Sequence, residues 1–360
     1  MPPVRVLIVD DSPVVRKLLC EALANNGAVT VAGTASNGTI ALAKIPQLNP
    51  DVITLDIEMP GLNGIQTLVE IRKLYPKLPV IMCSTLTERG AAITLEALSA
   101  GASDYVTKPS NSESLRSALE QLRQELVAKI LGLTNRFTPA VSLLARAPLK
   151  KKPSGQPIGI LAIGASTGGP NALGEVIPHL PADFPVPVVI VQHMPPVFTR
   201  LLADRLNSCS PLSVREGEAG KLLEPGQVWI APGNYHMTVA RRGTAAVLNL
   251  NQEPPENSCR PAVDVLFRSV AQTYGASVLA VVMTGMGSDG ARGALHIRDG
   301  GGGILVQDEA TSIVWGMPGS VVEAGVVDKI CPLTEISQEI VRRVAFSRTR
   351  VSGVTAAQPI

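Results

Sequence analysis

The sequence predicts an α/β protein made of two doubly wound, mostly parallel sheet units in tandem, and three observations carry that prediction. Short runs of branched apolar residues alternate with longer amphipathic stretches, the pattern of strand and crossover helix in a parallel sheet. The alternation lapses once, around Lys150-Lys151-Lys152-Pro153-Ser154-Gly155-Gln156-Pro157, and then resumes, as a solvated linker between two cores requires. At 360 residues with 45% hydrophobic content, the chain exceeds the roughly 100 to 200 residues of a usual domain and has enough apolar side chains for two.

Composition excludes several functions. With 32 basic and 30 acidic residues, a net charge of +2 and 3% aromatic content, the chain has no broad field or stacking surface for nucleic acid or a membrane surface. No apolar run approaches the roughly 18 residues of a membrane span, and the N-terminus enters a strand-like run without a signal-peptide layout. The expectation is a soluble, cytoplasmic protein with no nucleic-acid partner and no direct membrane insertion. Cysteines 20, 83, 209, 259 and 331 are scattered, without a C-x-x-C pair, and read as reduced packing residues.

In chain order, Val4–Val9, Val29–Gly33, Val52–Leu55, Val80–Cys83 and Tyr105–Val106 are the first unit's strands. Five strands with intervening helices predict a flavodoxin-like unit, whose functional groups gather at the C-terminal strand ends. Asp10 and Asp11 follow the first strand, Asp56 the third, Ser84 the fourth, and Lys108 with Pro109 the fifth. Converging carboxylates repel, and a hard divalent cation, magnesium above all, relieves that repulsion. Asp56 then suits attack on a phosphoryl group, with Lys108 pairing with its oxygens and Ser84 donating a hydrogen bond. Taken singly, the aspartates also read as helix caps and Lys108 as a surface charge. The last helix spans Leu115 to Gly132.

The second unit opens on Ile158–Ile163, which ends in Gly164-x-Ser166-x-Gly168. Glycines let a strand turn sharply into a helix and leave the serine hydroxyl at a helix N-terminus. The turn alone suits a nucleophile, a phosphate cradle or a plain tight turn. Val186–Val191, Gln227–Ala231, Val278–Met283 and Gly303–Val306 are further strands, and Val239–Leu250 reads as a hairpin turning near Arg241 to Thr244. His193 and Asp289 stand at two of these strand ends. Serine, imidazole and carboxylate in one crevice form a nucleophile, its base and the group that orients the base. Asp289 also reads as a plain N-cap of the next helix. Gly285-x-Gly287-x-x-Gly290 imitates a dinucleotide-binding loop, but Asp289 inside it would repel a pyrophosphate.

Asp10-Asp11, Leu55-Asp56-Ile57-Glu58-Met59-Pro60-Gly61, Ser84 and Lys108-Pro109 closely resemble the receiver domain of two-component response regulators, over residues 1–125. The resemblance implies phosphotransfer to Asp56 from a chemotaxis histidine kinase, Mg2+ held by Asp10, Asp11 and Asp56, a switch of Ser84, Tyr105 and Lys108, and a cis bond at Lys108-Pro109. Asn63 departs from it, since relatives often carry aspartate there. A linker is assigned to 126–156. The motifs around Ser166, Gln192-His193-Met194, Ala231 to His236, Arg260 to Arg268, Thr284 to Gly290 and Gln307 to Ser312 resemble the catalytic domain of chemotaxis protein-glutamate methylesterases, assigned here to 157–346 with a tail of 347–360. That resemblance implies a Ser166, His193, Asp289 triad, an oxyanion hole at Met286 and Thr167, no cofactor for the ester step, and methyl-accepting chemoreceptors as substrate. It also implies glutamine deamidation. Cys259, where histidine is common, and Gly319-Ser320, where lysine is frequent, depart from it. The reading of a different class is an output unit that binds a partner or a nucleotide without catalysis.

Overall fold

The computed structural model describes residues 2–24, 26–108, 115–134 and 156–354. The chain divides into two compact units, Met1–Thr138 and Pro139–Ile360.

In the first unit, β1 (Val4–Val9), β2 (Val29–Ala35), β3 (Val52–Asp56), β4 (Val80–Ser84) and β5 (Asp104–Thr107) alternate with α1 (Pro13–Leu23), α2 (Gly38–Leu48), α3 (Gly64–Leu74), α4 (Glu88–Ser99) and α5 (Leu115–Leu133). The sheet order is β2-β1-β3-β4-β5, and every pairing is parallel. The predicted five-stranded flavodoxin-like sheet is thus observed, with strand ends one or two residues longer. Local chemistry sets the helix starts. Ser12 accepts from the Val15 amide ahead of Pro13, which needs no amide partner. Asn63 and Gln66 form a reciprocal capping box at α3, a physical use for the asparagine that departs from the receiver pattern. Leu122, Leu126 and Ile130, four residues apart, are buried in the first core, so one apolar face carries α5 beyond residue 125, where the linker assignment begins.

The second unit has β6 (Ile160–Ala165), β7 (Val188–Gln192), β8 (Ser213–Glu216), β9 (Gln227–Ile230), β10 (His236–Arg242), β11 (Ala245–Asn251), β12 (Val278–Val282), β13 (Gly303–Gln307) and β14 (Lys329–Cys331). Its helices are α6 (Gly169–Val176), α7 (Phe198–Cys209), α8 (Val263–Tyr274), α9 (Ala291–Asp299), α10 (Gly316–Glu323) and α11 (Leu333–Val354). Seven parallel strands run in the order β14-β13-β12-β6-β7-β9-β8, and β10 and β11 form the predicted hairpin as a separate antiparallel pair. The sequence reading misses β8 and β14. Both are short edge strands, and neither is the continuous apolar run that a strand buried on two faces shows.

Strands β6, β7 and β12 are buried along their whole length, which fixes the heights at which their ends emerge. The tail assignment is overtaken at its start. Helix α11 runs to Val354, and Ser347 accepts a hydrogen bond from the Ile158 amide at 3.0 Å while Arg348 donates to the Pro185 carbonyl at 2.9 Å. The Lys108-Pro109 bond and the Lys150 triplet lie outside the described residues. No described helix is long and apolar enough to cross a membrane.

Candidate active site

Ser166 follows β6 directly. Gly168, with φ of 78°, lets the chain reverse into α6, and a Cβ there would come within 2.7 Å of Ile313. The Ser166 amide donates to the Thr284 carbonyl at 3.0 Å, and its own carbonyl accepts from Gly169 at 2.7 Å and from Gln192 Nε2 at 2.9 Å. Gly285 packs on the serine so closely that a Cβ at 285 would sit 2.8 Å from Ser166 Cβ. Met286 is the next residue, and Thr284 Oγ1 donates to the Thr167 carbonyl at 2.9 Å. Of the two expected oxyanion residues, Thr167 is thus tied to the strand end at Thr284.

His193 follows β7, its amide bonded to the Ala165 carbonyl at 3.2 Å, which seats it one strand away from Ser166. Its Nε2 lies 2.8 Å from Asp289 Oδ2, and Cys259 Sγ lies 3.6 Å from Nδ1. Among the described residues, no hydrogen bond joins Ser166 Oγ to the ring. The structure thus brings His193 and Asp289 into contact and leaves Ser166 alongside. Burial of the ring works against its charge, but the Cys259 sulfur and Asp289 carboxylate outweigh burial and lift the imidazole to about 10.

Asp289 is buried, and it does not cap α9, whose N-cap is Gly290. Its Oδ2 accepts from the Val263 amide at 2.7 Å, and its Oδ1 from the Asp264 and Gly290 amides at 2.9 Å each and from Asn257 Nδ2 at 2.8 Å. The first two amides open α8, whose N-terminal dipole favours a carboxylate. Although burial opposes it, these donors and His193 hold the Asp289 carboxyl below its ordinary range. The Arg260 to Arg268 motif is thereby placed: its turn and first helical residues build the seat of Asp289. Arg260 in turn ties the 231–236 segment to the hairpin exit, through Asn234 Oδ1 at 2.7 Å and the Gln252 and Glu253 carbonyls.

Gln192, Asn257, Cys259, Asp264 and Thr284 surround this site and are missed as site residues by sequence reasoning. All five lie within the quoted motifs or beside them, which was the available signal.

At the other sheet, carboxylate oxygens of Asp10, Asp11 and Asp56 lie within 4.8 Å of one another, two of them buried and Asp11 exposed. Lys108 Nζ bridges Asp10 Oδ2 at 2.9 Å and Asp56 Oδ1 at 2.7 Å. Burial, opposed by Lys108 and reinforced by Asp10, pushes the Asp56 carboxyl up to about 6. An all-oxygen donor set with one solvent-facing member suits a hard divalent cation that keeps some of its water, as Mg2+ does. Ser84 does not face Asp56 by hydrogen bonding. Its Oγ accepts from Thr94 Oγ1 at 2.6 Å and donates towards the Gly90 carbonyl at 3.1 Å. Tyr105 is buried, with Lys129 Nζ 4.9 Å from its ring centre.

Residues 161–340 match the family described as CheB methylesterase, and residues 6–120 match the response regulator receiver domain. A protein-glutamate methylesterase/protein-glutamine glutaminase of Trichodesmium erythraeum is 50% identical, covering 96% of this chain and 100% of that relative. One of Pyrococcus abyssi is 43% identical, covering 96% and 95%. The crystal structure of the Thermotoga maritima CheB methylesterase catalytic domain superimposes with a TM-score of 0.51 at 42% identity, covering 51% of this chain and 98% of that one.

Proposed function

The chain belongs to the CheB methylesterase family, with a response regulator receiver domain ahead of the esterase domain, and on that premise we propose that Ser166, His193 and Asp289 hydrolyse glutamate γ-methyl esters on chemoreceptors. It is a carboxylic ester hydrolase of the protein-glutamate methylesterase/protein-glutamine glutaminase kind. The observation that carries the triad is the 2.8 Å contact between His193 Nε2 and Asp289 Oδ2 at the strand end next to Ser166.

In this reading Ser166 Oγ attacks the γ-carbonyl carbon as His193 takes its proton, and the carbonyl oxygen becomes an oxyanion. The Met286 amide and Thr167 stabilise it; one such donor is worth about 100- to 1,000-fold in rate. The intermediate expels methoxide, which leaves as methanol with the proton from His193. Water, deprotonated by His193, then cleaves the acyl-enzyme and releases glutamate. With glutamine as substrate, ammonia leaves in place of methanol. Because Nε2 is held by Asp289, Nδ1 is the nitrogen left for the Ser166 proton, and the Cys259 contact must be released for the transfer.

Only the neutral ring accepts that proton, and His193 is raised, so it is charged below its pKa. Esterase kcat/KM is therefore expected to climb through neutral pH and level off on the alkaline side of ordinary imidazole. In Cys259→Ala, which removes one raising partner, the inflection moves to lower pH. A profile identical to wild type would show that Cys259 does not act on the base.

The receiver supplies the regulation. Asp56 accepts a phosphoryl group from a chemotaxis histidine kinase, Lys108 pairs with the new oxygens, and Ser84 and Tyr105 change partners to report it. Asp10, Asp11 and Asp56 would hold Mg2+, which when bound neutralises charge on the transferring phosphoryl group. The protein thus acts in the cytoplasm in chemotactic adaptation. The test is methanol release from methylated receptor, with and without acetyl phosphate and Mg2+. Stimulation is expected in wild type and none in Asp56→Asn, while a fragment starting at residue 156 is active without the donor. Equal stimulation of Asp56→Asn would remove Asp56 from the regulation.

A further inference from the structure

The segment Glu256 to Arg260 lies against the Asp289 carboxylate, and the proposed chemistry leaves most of it unused. Asn257 has φ of 53° and Ser258 of 62°. The turn they make is closed by reciprocal backbone bonds between Glu256 and Cys259, at 3.1 and 2.9 Å, and is anchored by a two-pronged Arg268–Glu256 ion pair with both bonds at 2.6 Å. None of these ties uses the Asn257 side chain. That side chain spans two carboxylates: Nδ2 donates to Asp289 Oδ1 at 2.8 Å and to Asp264 Oδ2 at 3.0 Å. A side-chain amide nitrogen has two hydrogens, so both bonds are available at once.

Asp264 is fully buried, and its other oxygen accepts from the Gly293 amide in the first turn of α9 at 2.6 Å. Burial and then the Asp289 charge push its carboxyl up, and two carboxyl groups face each other across one amide. Like charges this close turn away from each other unless a donor stands between them.

We infer that Asn257 is a positioning residue for the esterase reaction, its amide clamping Asp289 against the anchored Asp264 so that Oδ2 stays aimed at His193 Nε2. Asp264 is tied to α9 by the Gly293 amide and Asp289 to the start of α8, and the Asn257 amide sets how the two carboxylates face each other. Nothing else on the turn supplies a hydrogen to both carboxylates. The inference rests on the reading of Asp289 as the residue that orients the base.

The test uses the full-length protein, treated with acetyl phosphate and Mg2+, with methanol release from methylated receptor measured for Asn257→Gly, Asn257→Asp and Asp289→Asn. Glycine accepts the positive φ without strain and deletes the donor. Aspartate keeps the shape and also tolerates that φ, but replaces the donor by a third carboxylate. Asn257→Gly is expected to lower kcat by roughly 10- to 100-fold, the range for a lost hydrogen bond to a charged group, with KM unchanged. Asn257→Asp is expected to be worse. A purely structural role for the side chain predicts the opposite order, with the isosteric Asp the milder change. The inference is overturned if either variant keeps wild-type kcat, or if Asp is milder than Gly. If Asp289→Asn itself is fully active, the triad reading falls and this inference with it. If Asp289→Asn is impaired while both Asn257 variants are normal, only the clamp is wrong.

Discussion

Ser166→Ala is expected to abolish methanol release, with kcat falling by roughly 10⁵- to 10⁶-fold, the scale on which removal of a serine nucleophile acts in a triad hydrolase. The prediction is sharp because the substitution costs the fold so little. The ties at Ser166 run through its backbone, with its amide on Thr284 and its carbonyl on Gly169 and Gln192, and all three survive in alanine. Cβ also stays where Gly285 packs against it. The variant should fold normally and still take up phosphate on Asp56 from acetyl phosphate. Residual methanol release near the wild-type rate, by protein that still phosphorylates, would move the nucleophile elsewhere.

Asp289→Asn is expected to lower kcat by about 10⁴-fold, since an amide beside the imidazole stabilises the wrong tautomer and cannot balance a charged ring. Here the surroundings sharpen the effect. The carboxylate accepts from the Val263, Asp264 and Gly290 amides, from Asn257 and from His193. An asparagine has one acceptor oxygen, so its NH2 must point at donors whichever way it is turned. If the NH2 takes the Oδ2 position, it faces both His193 and the Val263 amide: the ring is forced to present a bare Nε2, and its proton moves to the nitrogen that should receive one from Ser166. If it takes the Oδ1 position, the Asp264 and Gly290 amides lose their acceptor inside the protein, which costs about 1 to 3 kcal/mol for each group left bare. Thermal unfolding and kinetics together separate the two orientations: the first strands one backbone amide and removes the base's partner, so catalysis falls most, while the second strands two and lowers Tm further. Wild-type activity in this variant would show that Asp289 does not orient the base.

Much of the fold was legible because fully buried parallel strands leave an unmistakable trace. The β6, β7 and β12 runs are apolar throughout since helices cover both faces of their sheet. The edge strands β8 and β14 escaped because an edge buries less, and three or four residues of mixed polarity carry no period. The end of α11 carries no local signal for a related reason. A repeat such as Ile336, Ile340 and Val344 shows that α11 continues but not where it stops, which is decided by partners such as Ile158 and Pro185.

The site divides along the same line. Glycine-flanked Ser166, strand-end His193 and the Asp10, Asp11, Asp56 and Lys108 set could be read from residue type and position, because a parallel sheet carries whatever follows its strands to one edge. The sequence alone determined which groups arrive at each edge. It left Asp289 open between a cap and a catalytic carboxylate, and only the tertiary structure showed its carboxylate bound by the first two amides of α8, the Gly290 amide and His193. It likewise decided that Cys259 faces His193 and that Asn257 lies between two carboxylates. Those contacts join residues 7 to 96 positions apart, from Asn257 to Asp264 and from His193 to Asp289. Side-chain direction across such separations depends on how helices dock on the sheet, which local spacing does not encode.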